Sequence, residues 1–328
     1  VDTLIHEIGT AQMEINFLHG NPLDLADQVF LFKRTVREAA LRHQMYATFM
    51  AKPMESEPGS AMHMHQSVVS HQDGHNLFSA ADGSATPAFF HFIGGLQRYL
   101  PHVMPFFAPY VNSFRRLTKY TAAPTNVEWG YDNRTVGLRV PRSSPAGRRV
   151  ENRLPGVDCN PYLVLACSLA CGLLGIQQKL QPTAPMTTNA YELPFQFPVT
   201  PEESIERLRA CTDIQEVLGK RFVDMYISVK ETEISASTMR KTCSQIKTLK
   251  YIIHEDTPLS AIRHCDILNY RNQLINGETL YIDNPRSNKQ GRTVRTVNSY
   301  IALLCGLLRF AHHSGFISHK PFDGVRKL

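Results

Sequence analysis

A chain of 328 residues with 43% hydrophobic content can build two domains and a sizeable core. Its seven cysteines include no C-x-x-C pair, which sets aside a disulfide scaffold and suits a reducing, cytoplasmic setting. The net charge of +6 hides a split: residues 1–234 carry 21 Lys/Arg against 23 Asp/Glu, and residues 235–328 carry 14 against 6. Such asymmetry marks two modules with different partners, the basic one suited to nucleic acid.

The first module alternates strand and helix patterns. Ile8–Phe17 reads as a strand, and 23–46 reads as a long amphipathic helix with Leu25, Val29, Phe32, Val36, Ala39 and Leu41 near one face. Tyr46–Met50 and Ala61–Val69 read as strands, Ser70–Thr86 as a polar loop, and Pro87–Tyr99 as a helix. Val136–Val140 and Val150–Leu154 read as strands joined by the turn S-S-P-A-G. Residues 160–180 form a buried helix, with Asn160 as N-cap and Pro161 at the first position. Its apolar run is too short and too mixed for a membrane span, and Val1 opens on a polar, charged segment with no secretory n-region. Pro182–Pro201 is mostly loop, and Glu203–Lys230 makes one or two helices. Beyond Glu233 the chain reads as all-helical, with helices over Ser237–Ile253, from a Ser260 cap to Leu274, and over Thr293–His312, where Gly315 ends the last. The expected class is α+β for 1–233, followed by a small all-α domain over 234–328.

The stretch Asn133–Arg153 packs six arginines around one acid, Glu151. Arg149, Glu151 and Arg153 alternate, so on a strand they share a face. One reading is a surface ion-pair network. The other, favoured by the interleaved Val136, Leu138, Val140 and Val150, is an inner-face site where arginines take phosphate oxygens and the acid takes a divalent cation. Glu7 and Glu14 are a second acidic pair. On a regular strand they point to opposite faces, and they meet only if the backbone bends, with Gly9 as the place for it. His63 and His65 share a strand face, either as a metal ligand and a phosphate contact or as two partly buried histidines. Gly59 and Ser60 before them suit close backbone approach to a small ligand.

Five co-ordered motifs carry a family resemblance: H-E-I-G-T-A-Q-M-E-I-N, G-S-A-M-H-M-H-Q-S, N-S-F-R-R-L, N-R-T-V-G-L-R-V-P and R-R-V-E-N-R-L-P-G-V-D-C-N-P-Y. Over residues 1–233 they resemble the C-terminal half of the glutamine synthetase catalytic domain, and within it the branch that joins glutamate to amines, the γ-glutamylputrescine synthetases. The resemblance implies that ATP phosphorylates glutamate's side-chain carboxylate and that an amine such as putrescine displaces the phosphate, with two Mg²⁺ or Mn²⁺ ions neutralising charge. It assigns Glu7 and Glu14 to one metal and His63 and Glu151 to the other. It sets His65 and Ser67 beside ATP, Gly59 and Arg116 around glutamate, Arg134 and Arg153 on the transferred phosphoryl, and Arg139 and Arg149 on nucleotide phosphates.

The departures are informative. Ala122 stands where ammonia-using members carry an acid, which fits a bulkier amine, and Ala146 stands where many carry lysine. Tyr191 matches a position that some bacterial members adenylylate. The family's β-grasp domain and E-x-E strand would precede Val1. Without them the resemblance implies half a site, a poor enzyme or none, and loss of a surface that completes the neighbouring subunit's active site in the family's homo-oligomer.

The basic module contains M-R-K, H-C-D-I-L-N-Y-R-N-Q-L, R-T-V-R-T-V-N-S-Y-I-A-L-L-C-G-L-L-R-F-A-H-H-S-G-F-I and a following K-P-F. These resemble the core-binding, SAM-like domain of phage integrases of the tyrosine recombinase class. The implied role is a DNA clamp in which Arg240, Lys241, Lys247, Arg292 and Arg295 meet phosphates. Two function classes follow: a glutamate–amine ligase impaired by a missing half, or a non-catalytic DNA binder.

Overall fold

The chain folds as two units, the first built from Val1–Val36 with Thr48–Thr232 and the second from Arg37–Ala47 with Glu233–Leu328. The structure, a computed structural model, describes residues 1–233, 244–250, 252–254, 256–277, 291–313, 316–326 and 328.

The first unit opens on a hairpin rather than the expected single strand. β1 (Thr3–His6) pairs antiparallel with β2 (Met13–Asn16), Ile5 facing Glu14. The chain reverses over 7–12 because the Gln12 amide donates to the Gly9 carbonyl at 3.0 Å and Ala11 adopts φ +55. α1 (Pro22–Arg42) follows. It stops short of Tyr46 because Gln44 takes φ +56 and the Met45 amide returns to the Ala40 carbonyl, a left-handed C-terminal cap. Leu25, Val29, Phe32 and Val36 are half-buried, whereas Ala39 and Leu41 are exposed. The strand expected over Tyr46–Met50 is irregular backbone.

A four-stranded sheet carries the centre of the unit. β3 (Met64–Gln66), β4 (Trp129–Tyr131), β5 (Leu138–Val140) and β6 (Val150–Asn152) lie in the order β3-β6-β5-β4. β6 runs antiparallel to both β3 and β5, and β4 runs parallel to β5. Val136, Leu138, Val140 and Val150 are buried, as the alternation predicted. α2 (Pro87–Tyr99) matches its expected bounds, and the Thr86 side chain accepts from the Phe89 amide at its start. Two short helices, α3 (Met104–Phe107) and α4 (Val111–Phe114), lead to α5 (Pro161–Gln177), which Asn160 caps through the Tyr162 and Leu163 amides. α2 and α5 cross in backbone contact: a Cβ on Gly95 would lie 2.2 Å from the Cys171 carbonyl oxygen, so only glycine permits the approach. The one or two helices expected after Glu203 are three, α6 (Pro201–Ala210), α7 (Thr212–Leu218) and α8 (Lys220–Glu233). Extended backbone at Cys211 and φ +89 at Gly219 interrupt them.

In the second unit, residues 244–250 are helical (α9), followed by α10 (His264–Asn276) and α11 (Val294–His313). Ile267, Tyr270, Leu274, Val297, Ile301, Leu304 and Leu308 form its core. Ser260 caps no helix. It sits in a 3-10 turn, and α10 starts at His264, where the Asp266 carboxylate accepts from the Arg263 amide at 2.7 Å. Arg240, Lys241 and Gly315 lie outside the described residues. The class is α+β, and no described helix is long and apolar enough to cross a membrane.

Candidate active site

Strand register sets a row of side chains across the sheet: His65 opposite Glu151, Glu151 opposite Arg139, and Arg139 opposite Gly130. Glu151 is 2% exposed. Its Oε2 accepts from Arg139 Nη1 and its Oε1 from Arg153 Nη1, both at 2.8 Å, and His63 Nδ1 lies 3.2 Å from Oε1. Burial alone would raise the Glu151 carboxyl, but His63, Arg153 and Arg139 together hold it below the usual range. His63 is pushed down to about 3, first by burial and then by Arg153, although a third of its side chain stays exposed. The imidazole is therefore neutral at pH 7. Its Nδ1 faces Glu151 Oε1 at 3.2 Å, and a proton on Nδ1 would leave the Nε2 lone pair for a ligand. Burial also lowers His65, whose Nδ1 accepts from Arg149 Nε at 3.1 Å.

The hairpin brings the second acidic pair together without a bulge. Glu7 and Glu14 hydrogen-bond each other, and that contact lowers Glu7 and raises Glu14. Like charges so placed disfavour joint ionisation, which is why the two shifts are opposite in sign. The turn is pinned beside the sheet: the Thr10 amide and hydroxyl donate to Glu57, and Gln12 Nε2 donates to the Gly59 carbonyl at 3.1 Å and the Ser60 hydroxyl at 3.0 Å. Among the described residues no three His, Cys, Asp or Glu side chains converge as a metal cage. The donors come in two pairs.

The remaining expected residues divide by burial. Arg116 is buried, and its terminal nitrogens donate to the Leu154 and Arg153 carbonyls at 2.8 Å, so it fixes the chain that carries Arg153. Gly59 lies against it: a Cβ there would sit 2.6 Å from both the Ala51 carbonyl oxygen and Arg116 Cγ. Arg153 also donates to the Ala122 carbonyl. Arg134 and Ser67 are exposed, and the charge of Arg134 reaches Glu7. Tyr191 is 6% exposed, with its ring 5.2 Å from that of Tyr120. In the second unit Lys247 and Arg295 are exposed, whereas the Arg292 guanidinium lies over the Tyr300 ring at 4.9 Å.

Sequence reasoning missed two residues that brace the row. Arg148 donates to the Phe78, Gly83 and Ser84 carbonyls and to the Ser79 hydroxyl, fastening the 78–84 loop to the turn before Arg149. Asp132 accepts from Arg139 Nη2 and from the Arg142 amide. An acid beside N-R in Y-D-N-R was the available signal, and it is uninformative until β4 is known to be a strand.

Residues 1–251 match the family Glutamine synthetase, catalytic domain. Glutamine synthetase of Thermococcus kodakarensis is 38% identical over 241 residues, covering 71% of this chain and 54% of that protein. Gamma-glutamylputrescine synthetase PuuA of Escherichia coli (strain K12) is 37% identical over 237 residues, 71% of this chain and 50% of that protein. A solved structure, apo GmaS without ligand, superposes with a TM-score of 0.64 at 30% identity over 71% of this chain and 55% of that one. Prophage integrase IntR of Escherichia coli (strain K12) is 59% identical over 128 residues, 39% of this chain and 31% of that protein. The chain thus spans about half the length of these synthetases and a third of the integrase. The shares of 71% and 39% exceed the whole chain, so the synthetase-like and integrase-like stretches overlap. With its motifs placed on one sheet and most of its length matched, the chain belongs to the glutamine synthetase catalytic-domain family.

Proposed function

We propose that the first unit performs glutamate–amine ligation: ATP phosphorylates the glutamate side-chain carboxylate, and an amine such as putrescine displaces phosphate to leave a γ-glutamyl amide. The observation that carries this reading is the buried Glu151–Arg153 pair, joined by the half-buried Arg139, beside a neutral His63. Arg139 and Arg153 each keep an Nε–H without a partner, which leaves donors unspent in a region suited to oxyanions. Arg149 and His65 form the nucleotide side, with Ser67 next along the chain. Gly59 and Arg116 hold the glutamate side, Arg116 acting from beneath Arg153. Arg134 and Arg153 meet the transferred phosphoryl. Ala122 offers a methyl group, rather than an acid, to the acceptor amine.

Bound Mg²⁺ or Mn²⁺ would neutralise phosphate charge here. The donors fit such hard cations, which accept one or two carboxylates and complete their shell with water and phosphate. Glu7 and Glu14 would hold one ion, and Glu151 with Nε2 of His63 the other. With two protein donors per ion among the described residues, this reading carries a low rate for the chain alone. A homo-oligomer and a cytoplasmic setting belong to the same reading.

The test is equilibrium dialysis of ATP with the full chain in Mn²⁺. Retention that falls on Arg149→Ala and Glu151→Gln is expected, and absence of retention would overturn the reading. Phosphate release with glutamate and putrescine is expected near the blank.

A second reading rests on the integrase similarity and the +8 net charge of residues 235–328. In it the second unit clamps DNA through a SAM-like helical domain. Lys247 and Arg295 meet phosphates, joined by Arg292, Arg240 and Lys241. Salt-dependent retention of duplex DNA tests it, and binding insensitive to salt would remove it.

A further inference from the structure

We propose that Asp132 is a positioning residue that shares Arg139 with Glu151 and so keeps the Glu151 carboxylate available to a divalent cation, an inference that rests on the ligase reading above.

The geometry is a guanidinium stretched between two acids. Arg139 Nη1 lies 2.8 Å from Glu151 Oε2, and Nη2 lies 3.2 Å from Asp132 Oδ1. Register explains how Asp132 reaches it. Gly130 is the β4 partner of Arg139, and Asp132, two residues on, falls on the same face. Gly130 has no side chain, so Asp132 is the first side chain of that strand face that Arg139 meets. The Asp132 amide extends the parallel ladder to the Val140 carbonyl at 3.0 Å, and φ turns to +47 there. That conformation costs aspartate and asparagine less than other side chains. The Asp132 carboxylate also takes the Arg142 amide at 3.1 Å and Arg142 Nε at 3.2 Å. The Arg142 side chain is 91% exposed, so its ion pair contributes little.

The consequence is a competition. Glu151 faces Arg153 at one oxygen and Arg139 at the other. A cation at Glu151 must displace part of that pairing, and the displaced Arg139 needs a second carboxylate. Asp132 supplies it. With asparagine in place of Asp132, Arg139 has Glu151 as its remaining acid and blocks the cation more strongly.

The experiment uses the full chain and Mn²⁺ alone, with free aquo-Mn²⁺ read by electron paramagnetic resonance, and thermal melting recorded for each variant. Asp132→Asn keeps a residue suited to φ +47 and removes the charge. It is expected to weaken Mn²⁺ binding about 10-fold, the lower end for loss of an outer-shell partner, without lowering the melting temperature. Removing the competitor as well, in Asp132→Asn with Arg139→Leu, is expected to restore the affinity, which a merely structural role would not produce. Arg142→Ala is expected to leave it unchanged. Two results would overturn the role of Asp132 alone: parent binding lost in Glu151→Gln but untouched by Asp132→Asn, or no restoration in the double variant. A parent chain that retains no Mn²⁺, or a Glu151→Gln variant that binds like the parent, would overturn the ligase reading and this inference together.

Discussion

The two units use charge in opposite ways. In the first, the informative charges are inside: Glu151 is 2% and Arg153 5% exposed, and their partners are fixed by strand register. In the second, Lys247 and Arg295 stand in solvent, Arg295 on a helix that buries Val297, Ile301, Leu304 and Leu308 and Lys247 on one that buries the uncharged Gln245 and Thr248. A buried ion network sits at low dielectric, where removing one member strands the rest. Exposed charges are screened and act mainly as a summed field. Geometry therefore specifies chemistry in the first unit, while the second offers its net charge and a helical surface.

The largest expected effect breaks or confirms that contrast directly. Glu151→Ala leaves Arg153 without its acid and Arg139 with Asp132 alone, and is expected to cost about 3–5 kcal/mol of first-unit stability in urea unfolding. Arg295→Ala in the second unit is expected to stay within about 0.5 kcal/mol. Equal losses would end the comparison. Next in size is Gly59→Ala. Its Cβ would press on the Ala51 carbonyl and on Arg116, which is itself pinned to two carbonyls. We expect a loss of about 1–3 kcal/mol, typical of overpacking. Gly20→Ala, with open space at its Cβ, serves as the neutral control.

What could be read from the sequence follows the same division. The Arg149–Glu151–Arg153 alternation is a period-two signal, and β6 places Glu151 on the face it predicted. Asn160 and Pro161 announce α5 through cap chemistry, which is local. Glu7 and Glu14 were expected to meet only through a bend. Gly9 does take part, but in a hairpin turn that also needs Gln12 and a left-handed Ala11. β4 left no readable pattern in three residues, W-G-Y, and without it neither the Gly130–Arg139 pairing nor the role of Asp132 exists. Tyr46–Met50 reads as a strand but has no ladder partner, and a strand is defined by its partner rather than by propensity. In the second unit, helix starts depend on one side chain each. Asp266 captures the Arg263 amide, so α10 begins three residues after the expected cap region.

The second unit's own prediction is smaller and collective. If it clamps DNA, the logarithm of affinity falls linearly with the logarithm of salt concentration. Lys247→Ala and Arg295→Ala are each expected to reduce that slope by about 1 while weakening binding to all sequences alike. Arg292→Ala is expected to lower stability as well, because its guanidinium covers Tyr300 at 4.9 Å. A variant that changed affinity at one base position only would show sequence readout, and the field-like description would fail.

A further expected effect concerns protons. His63 is depressed in the fold from about 6.5 to about 3, so the unfolded chain binds the extra proton first. Stability from this residue is therefore complete above about 6.5 and declines as pH falls toward about 3. Glu151, also depressed, adds acid sensitivity of the same sign as pH falls through its folded value. Glu14 is raised and works in the opposite sense, holding its proton in the fold at a pH where the unfolded chain has released it. His63→Asn removes only the first contribution and keeps a donor for Glu151. Its melting temperature is expected to fall less steeply than the parent's between pH 6.5 and 4, while the two converge in slope above pH 7. Identical slopes throughout would mean that His63 is already a cation beside Glu151. The sheet row would then hold three positive groups on one acid, and Nε2 would have no lone pair to offer a metal.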